Sequence, residues 1–102
     1  MWKAPRPLRA VVVGVRSDMV TVKMFTTKTC APCKQMKAIM STIDHTGIHL
    51  EYLDARDEMA QVVRYGIKTV PYFVMEQDNE IIDQHSGVMS VDEYVDWLGK
   101  AA

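Results

Sequence analysis

A single α/β domain, with three helices flanking a four-stranded mixed sheet, is the fold this sequence predicts. Three observations carry it. Segments whose apolar residues recur with period two alternate along the chain with segments whose period is near 3.6. The first three of these read strand, helix, strand, which implies a parallel pair joined by a crossover. Further on, two apolar strand segments flank a tight turn, which implies an antiparallel hairpin. A sheet holding both pairings is mixed, with helices on both of its faces.

Residues 1–18 are expected to be an N-terminal extension and residues 19–102 the domain. Pro5 and Pro7 favour an extended start. Val11 to Val15 has strand propensity and is a candidate extra edge strand. Lys3, Arg6 and Arg9 before that run resemble a secretory leader, but the run is six residues long and no small-residue cleavage site follows. Met19 is an alternative start that would make the extension dispensable.

From Val20 the elements follow in order. Val20-Thr-Val-Lys-Met alternates and ends in Phe25, as a strand entering a core does. The next helix sets Met36, Ile39, Met40 and Ile43 on one face, with Gly47 expected to end it. Ile48, Leu50 and Tyr52 alternate with His49 and Glu51 in a strand that stops at Asp54. A short helix runs from about Asp57 to Tyr65-Gly66, with Met59, Val62 and Val63 apolar. Tyr72 to Met75 is a continuous apolar run, the expected central strand. Asp78-Asn79 is the turn and Glu80 to His85 the return strand. Ser90 caps the last helix, Glu93 completes a capping box, and Val91, Tyr94, Val95 and Leu98 form the buried stripe. Trp97 reads as packing, and Met36, Met40 and Met59 as core fillers rather than copper ligands. Asp54, Arg56, Asp57 and Glu58 read as a solvated charge run.

The chain's 102 residues make one domain with a modest core. Its net charge of −1 gives no electrostatic reason to expect nucleic acid. No apolar run approaches the roughly 20 residues of a membrane span. A monomer is expected. Two closely spaced cysteines, in a chain with no others, point to a reducing compartment, the cytosol.

Those cysteines, Cys30 and Cys33, lie between the first strand and its helix, the context in which C-x-x-C reads as redox chemistry. On a first helical turn the two sulfurs would share one face. A structural staple is one alternative, but a four-residue loop gains only about 2 kcal/mol, against about 4.7 for a 100-residue loop. Zinc is another, since C-x-x-C is half of a four-ligand site. No second C-x-x-C completes it, and His45 and His49, though four apart, are separated by Gly47, which breaks any helix that would align them.

Three motifs then carry a family resemblance: Phe25 to Lys34 (FTTKTCAPCK), Tyr65 to Pro71 (YGIKTVP) and Gly87 to Ser90 (GVMS). Together they resemble the thioredoxin/glutaredoxin family over about residues 19–100. The resemblance implies a thioredoxin fold and a dithiol–disulfide oxidoreductase that reduces protein disulfides through a redox-active Cys30–Cys33 disulfide, with no bound cofactor and no metal. Cys30 would be the attacking thiolate, exposed at a helix N-terminus whose dipole favours negative charge. Lys28 and Lys34 would help it titrate below the free-thiol value of about 8.5, with Lys37 one turn on. Cys33 would be the resolving thiol. Pro32 suits a first helical turn. Pro71 would be a cis-proline against the disulfide, and Val70 would pair with an extended substrate by strand addition. Thr29, Ala31, Pro32, Val88 and Met89 would wall the groove, and Gly87 would admit a substrate backbone. The implied partners are a thioredoxin reductase-type electron donor, or glutathione, and disulfide-bearing proteins, with ribonucleotide reductase among the candidates.

The chain also departs from the family. Thioredoxins usually carry Trp where Thr29 stands, and a buried Asp at the position of Met24, which leaves the proton acceptor of Cys33 unassigned. Glutaredoxins tend to carry an aromatic between the cysteines and a Gly-Gly-x-Asp grip for glutathione, where this chain has Ala31-Pro32 and Gly87-Val-Met-Ser90. It is similar to the compact proteins of archaea and phages that mix these features. A glutathione-coupled thiol transferase is accordingly the alternative activity.

Overall fold

The computed structural model describes residues 19–101. The candidate edge strand at Val11 to Val15, and the extension that carries it, lie outside the described residues. The elements run β1 (Val20–Thr26), α1 (Ala31–Met40), β2 (Ile48–Asp54), α2 (Met59–Tyr65), β3 (Tyr72–Gln77), β4 (Glu80–Ser86) and α3 (Val91–Leu98), followed by a 3₁₀ turn at Gly99–Ala101.

Four strands form one sheet in the order β2-β1-β3-β4. β1 runs parallel to β2, with Met24 opposite Tyr52 and Thr26 opposite Asp54. It runs antiparallel to β3, with Met24 opposite Phe73. β3 and β4 form the expected hairpin, with one irregularity between Met75 and Glu76. Its turn residues, Asp78 and Asn79, both have positive φ, 55° and 66°. A two-residue type I′ turn needs that at both positions, and Asp and Asn tolerate it.

Alternation along the strands sorts the core into two layers. Val20, Val22 and Met24 of β1 and Phe73 and Met75 of β3 pack with Met36 and Met40 of α1 and Tyr94 and Trp97 of α3. On the opposite face, Phe25 and Val74 pack with Tyr65 of α2 and Ile67. That second layer also holds a polar group. Lys23 Nζ donates to Gln61 Oε1 at 2.9 Å and to Tyr65 Oη at 3.0 Å. It lies 3.2 Å from Glu76 Oε1, and Tyr65 Oη donates to Glu76 Oε2 at 2.6 Å.

Three expectations need correction. First, α1 ends at Met40 rather than near Gly47. Ser41 Oγ and Thr42 Oγ1 donate to the carbonyls of Ala38 and Ile39, each at 2.7 Å, so the last turn's acceptors are satisfied by hydroxyls and the helix need not continue. Second, the buried side of α3 is Tyr94 and Trp97, whereas Val91 and Val95 are about half exposed, at 45% and 49%. Trp97 can go inside because its indole N–H donates to Asp83 Oδ2 at 2.7 Å while its ring meets Phe73 and Tyr94. Third, Met59 and Val63 are exposed, because the short α2 turns Tyr65 rather than these residues into the core. The Ser90–Glu93 capping box forms in both directions, and Gly66 closes α2 in the left-handed conformation.

Candidate functional site

β1 delivers the chain to the cysteine pair, and a turn closed by Cys30 N–H to the Thr27 carbonyl at 3.2 Å leads into α1. Cys30 is the N-cap of that helix, with extended backbone at φ −88° and ψ 103°. Its sulfur accepts the backbone N–H of Cys33 at 3.1 Å, as a serine or aspartate oxygen does at other caps. Ala31 and Pro32 occupy the first two helical positions, where the N–H that proline lacks has no partner within the helix. Cys30 and Cys33 form a disulfide, with Cα atoms 5.2 Å apart. A sulfur at this place sits at the positive end of the helix dipole and receives a peptide N–H, and both favour an anion.

The pair is asymmetric, but less so than expected. Cys33 is 2% exposed and Cys30 9%, so Cys30 reaches solvent along one edge instead of standing clear. Both sulfurs lie against the α1–α3 core layer.

A second strip of backbone supports the site. The Val70–Pro71 peptide bond is cis, and Pro71 is fully buried. Gly87, at φ 96°, donates its N–H to the Pro71 carbonyl at 2.9 Å, tying the β4–α3 turn to the start of β3. Thr69 and Ser86 share a hydroxyl hydrogen bond at 3.0 Å beside it. Val70 itself is half-buried, and neither its N–H nor its carbonyl takes a partner among the described residues. Thr29, Ala31, Pro32 and Val88 are exposed. Met89 is not a groove wall. It is 1% exposed, and its N–H donates to Met36 Sδ at 3.4 Å, which locks the residue into the core.

The lysines share a pocket with the second cysteine. Lys28 and Lys34 line a pocket of about 300 Å³ together with Cys33, not Cys30, and Lys37 joins them. Thr26, Thr27, Tyr52, Leu53 and Asp54 complete the lining. The sequence reading missed Tyr52 and Asp54 as site residues. Only the parallel pairing of β2 with β1 brings them beside Thr26, and a single strand's alternation carries no sign of its neighbour's register. Asp54 therefore belongs to this pocket, while its neighbour Arg56 is exposed as expected. Among the described residues no group of three or more His, Cys, Asp or Glu is placed to hold a metal ion. No helix among them is long and apolar enough to cross a membrane.

A redox-active disulfide at a helix N-terminus, on a mixed sheet of this topology, defines the class: a thiol–disulfide oxidoreductase. Comparison with known proteins gives the family. A protein-family model described as Thioredoxin matches residues 10–100. Among solved structures, a mutant thioredoxin from Halobacterium salinarum superposes with a TM-score of 0.73 at 22% identity, covering 82% of this chain and 76% of that one. The germline-specific thioredoxin Deadhead of Drosophila melanogaster gives 0.76 at 19% identity, covering 83% of each chain. Thioredoxin from Fasciola hepatica gives 0.76 at 16% identity, again covering 83% of each. A search of curated proteins finds no match. The chain belongs to the thioredoxin family.

Proposed function

We propose that this protein is a dithiol electron carrier that reduces disulfides in other proteins. The observation that carries the reading is the capped sulfur. Cys30 Sγ accepts the Cys33 N–H at the start of α1, so a charge left on that sulfur is stabilised where it forms. Cys30 attacks the substrate disulfide and forms a mixed disulfide. Cys33, buried one turn further in, then attacks Cys30 and releases the reduced substrate. The unpartnered backbone groups of Val70 support strand addition by an extended substrate segment. Exposed Thr29, Ala31, Pro32 and Val88, with Gly87, flank that segment. Electrons come from a thioredoxin reductase-type donor, ribonucleotide reductase is a candidate acceptor, and the setting is the reducing cytosol, with the protein acting as a monomer.

Insulin reduction tests this, driven either by NADPH with thioredoxin reductase or by glutathione with its reductase. Turnover with the thioredoxin reductase system, lost in both Cys30→Ser and Cys33→Ser, is the expected result. Glutathione-driven turnover that survives Cys33→Ser would replace the reading with a glutaredoxin-type transferase.

A further inference from the structure

Resolution of the mixed disulfide requires Cys33 to lose its proton, and its apolar surroundings offer no group to take it. Met24, Met36, Met40, Phe73 and Met89 share its core layer, all buried. Tyr94 is also there, but its hydroxyl pairs with His45 Nε2 at 2.8 Å. The polar approach to Cys33 is the pocket of about 300 Å³ beside it. A pocket of that size and polarity has room for water.

The charged and titratable groups facing that pocket are Lys28 from the loop before α1, Lys34 and Lys37 from α1, and Tyr52 and Asp54 from β2. Three ammonium groups stand against one carboxylate. Asp54 Oδ1 already accepts the Arg56 N–H at 2.8 Å. Burial pushes the Tyr52 hydroxyl up, so it stays neutral. Lys37 is placed most favourably. It lies four residues after Cys33, on the same helical face. Its Nζ sits 5.2 Å from the centre of the Tyr52 ring, which holds the ammonium over the pocket. It forms no ion pair with a described residue.

We propose that Lys37, braced on Tyr52, stabilises the Cys33 thiolate across this pocket while pocket water takes the proton. The proposal rests on the dithiol reading above. In the step itself, the Cys33 proton passes to water and the thiolate attacks Cys30 Sγ. The Cys30–Cys33 bond forms as the bond from Cys30 to the substrate sulfur breaks. The substrate sulfur leaves with the electron pair and is protonated by solvent. The dithiol is oxidised by two electrons and the substrate disulfide is reduced by two.

The test uses Cys30→Ser, in which Cys33 is the sole thiol, titrated through its ultraviolet thiolate absorbance. Adding Lys37→Met should raise the titration midpoint by about half a unit to one unit at low salt, and by less at high salt. Lys37→Arg should restore it. In the otherwise native protein, release of a small thiol from its mixed disulfide with Cys30 should slow about three- to tenfold near neutral pH in Lys37→Met, and the rate–pH profile should move by the same amount. A midpoint unmoved in a Lys37→Met protein that still unfolds cooperatively would overturn the proposal, as would an equal shift in Lys37→Arg. Titration needs no turnover, so the two readings fail separately. A silent insulin assay with a normal Lys37 shift removes the carrier alone, and an active carrier with no shift removes Lys37 alone.

Discussion

On the face of the sheet covered by α1 and α3, Val22, Met24, Phe73 and Met75 meet Met36, Met40, Tyr94 and Trp97, whereas on the α2 face Phe25 and Val74 share space with Lys23, Tyr65 and Glu76. Adjacent residues of one strand, Lys23 and Met24, point into these unlike settings. The first face carries the cysteines and is closed by apolar and aromatic volume, which fixes side chains by packing. The second is closed by one short helix that leaves Met59 and Val63 outside, and hydrogen bonds replace part of the missing apolar cover. Burial opposes the charge on Glu76, yet hydrogen bonds from Tyr65 and Lys23 outweigh it and hold the carboxyl below its usual value. Burial likewise opposes the charge on Lys23, and Tyr65 and Glu76 overcome it and raise its pKa. The lesson is that the redox site stands on the dry layer while the layer behind it tolerates charge.

The sharpest way to break this contrast is Phe73→Ala. Phe73 is fully buried between α3 and β1, so its loss should destabilise the protein by about 3–5 kcal/mol in urea unfolding. A loss no larger than that of the polar variant below would mean the two layers are equivalent.

Glu76→Ala comes next, at about 2–3 kcal/mol, because it strands the Lys23 ammonium and the Tyr65 hydroxyl without their acceptor. The double variant Lys23→Met with Glu76→Met should recover about 1 kcal/mol of that loss, since the buried ammonium is gone, while the Tyr65 hydroxyl still lacks its acceptor and the half-exposed Arg64 loses its 3.7 Å contact with Glu76. The pH dependence has a definite sign. Glu76 titrates lower when folded, so its contribution is present above its unfolded value, 4.5, and is lost as the pH falls through the folded value. Lys23 titrates higher when folded, so its contribution is present below its unfolded value, 10.5, and is lost as the pH rises through the folded value. The native protein's advantage over the double variant should therefore shrink at both extremes of a pH series of urea midpoints. A constant difference would remove the ionic account.

The smallest effect is expected at Ser90→Ala, about 1 kcal/mol, through the lost acceptor for the Glu93 N–H. Native-state hydrogen exchange should show the opening confined to the first turn of α3.

These features are not equally legible in the sequence. The hairpin turn, the Ser90 cap, the Gly66 stop and the strand spans rest on local chemistry, and the residues that create them announce them. Cys30 and Cys33 are equally plain, because a helix start after a strand needs only short-range signals. The end of α1 is easily misread because Gly47 is a louder stop than two hydroxyls folding back on their own helix. On α3, Val91 and Val95 look like core until Asp83, on β4, supplies a partner for the Trp97 indole. The pocket beside Cys33 is the least visible feature, since it exists only when β2 lies alongside β1 in one register.

The hydrogen bond from Cys33 N–H to Cys30 Sγ joins two properties that are usually measured apart. Reduction turns the capping sulfur into a more negative acceptor, so the reduced protein carries the better-capped α1. Around a closed thermodynamic cycle, whatever that cap adds to the reduced fold is subtracted from the tendency to release electrons. A substitution that tightens the start of α1 around an anion therefore makes a sturdier dithiol and a more reluctant reductant. One that loosens it does the reverse.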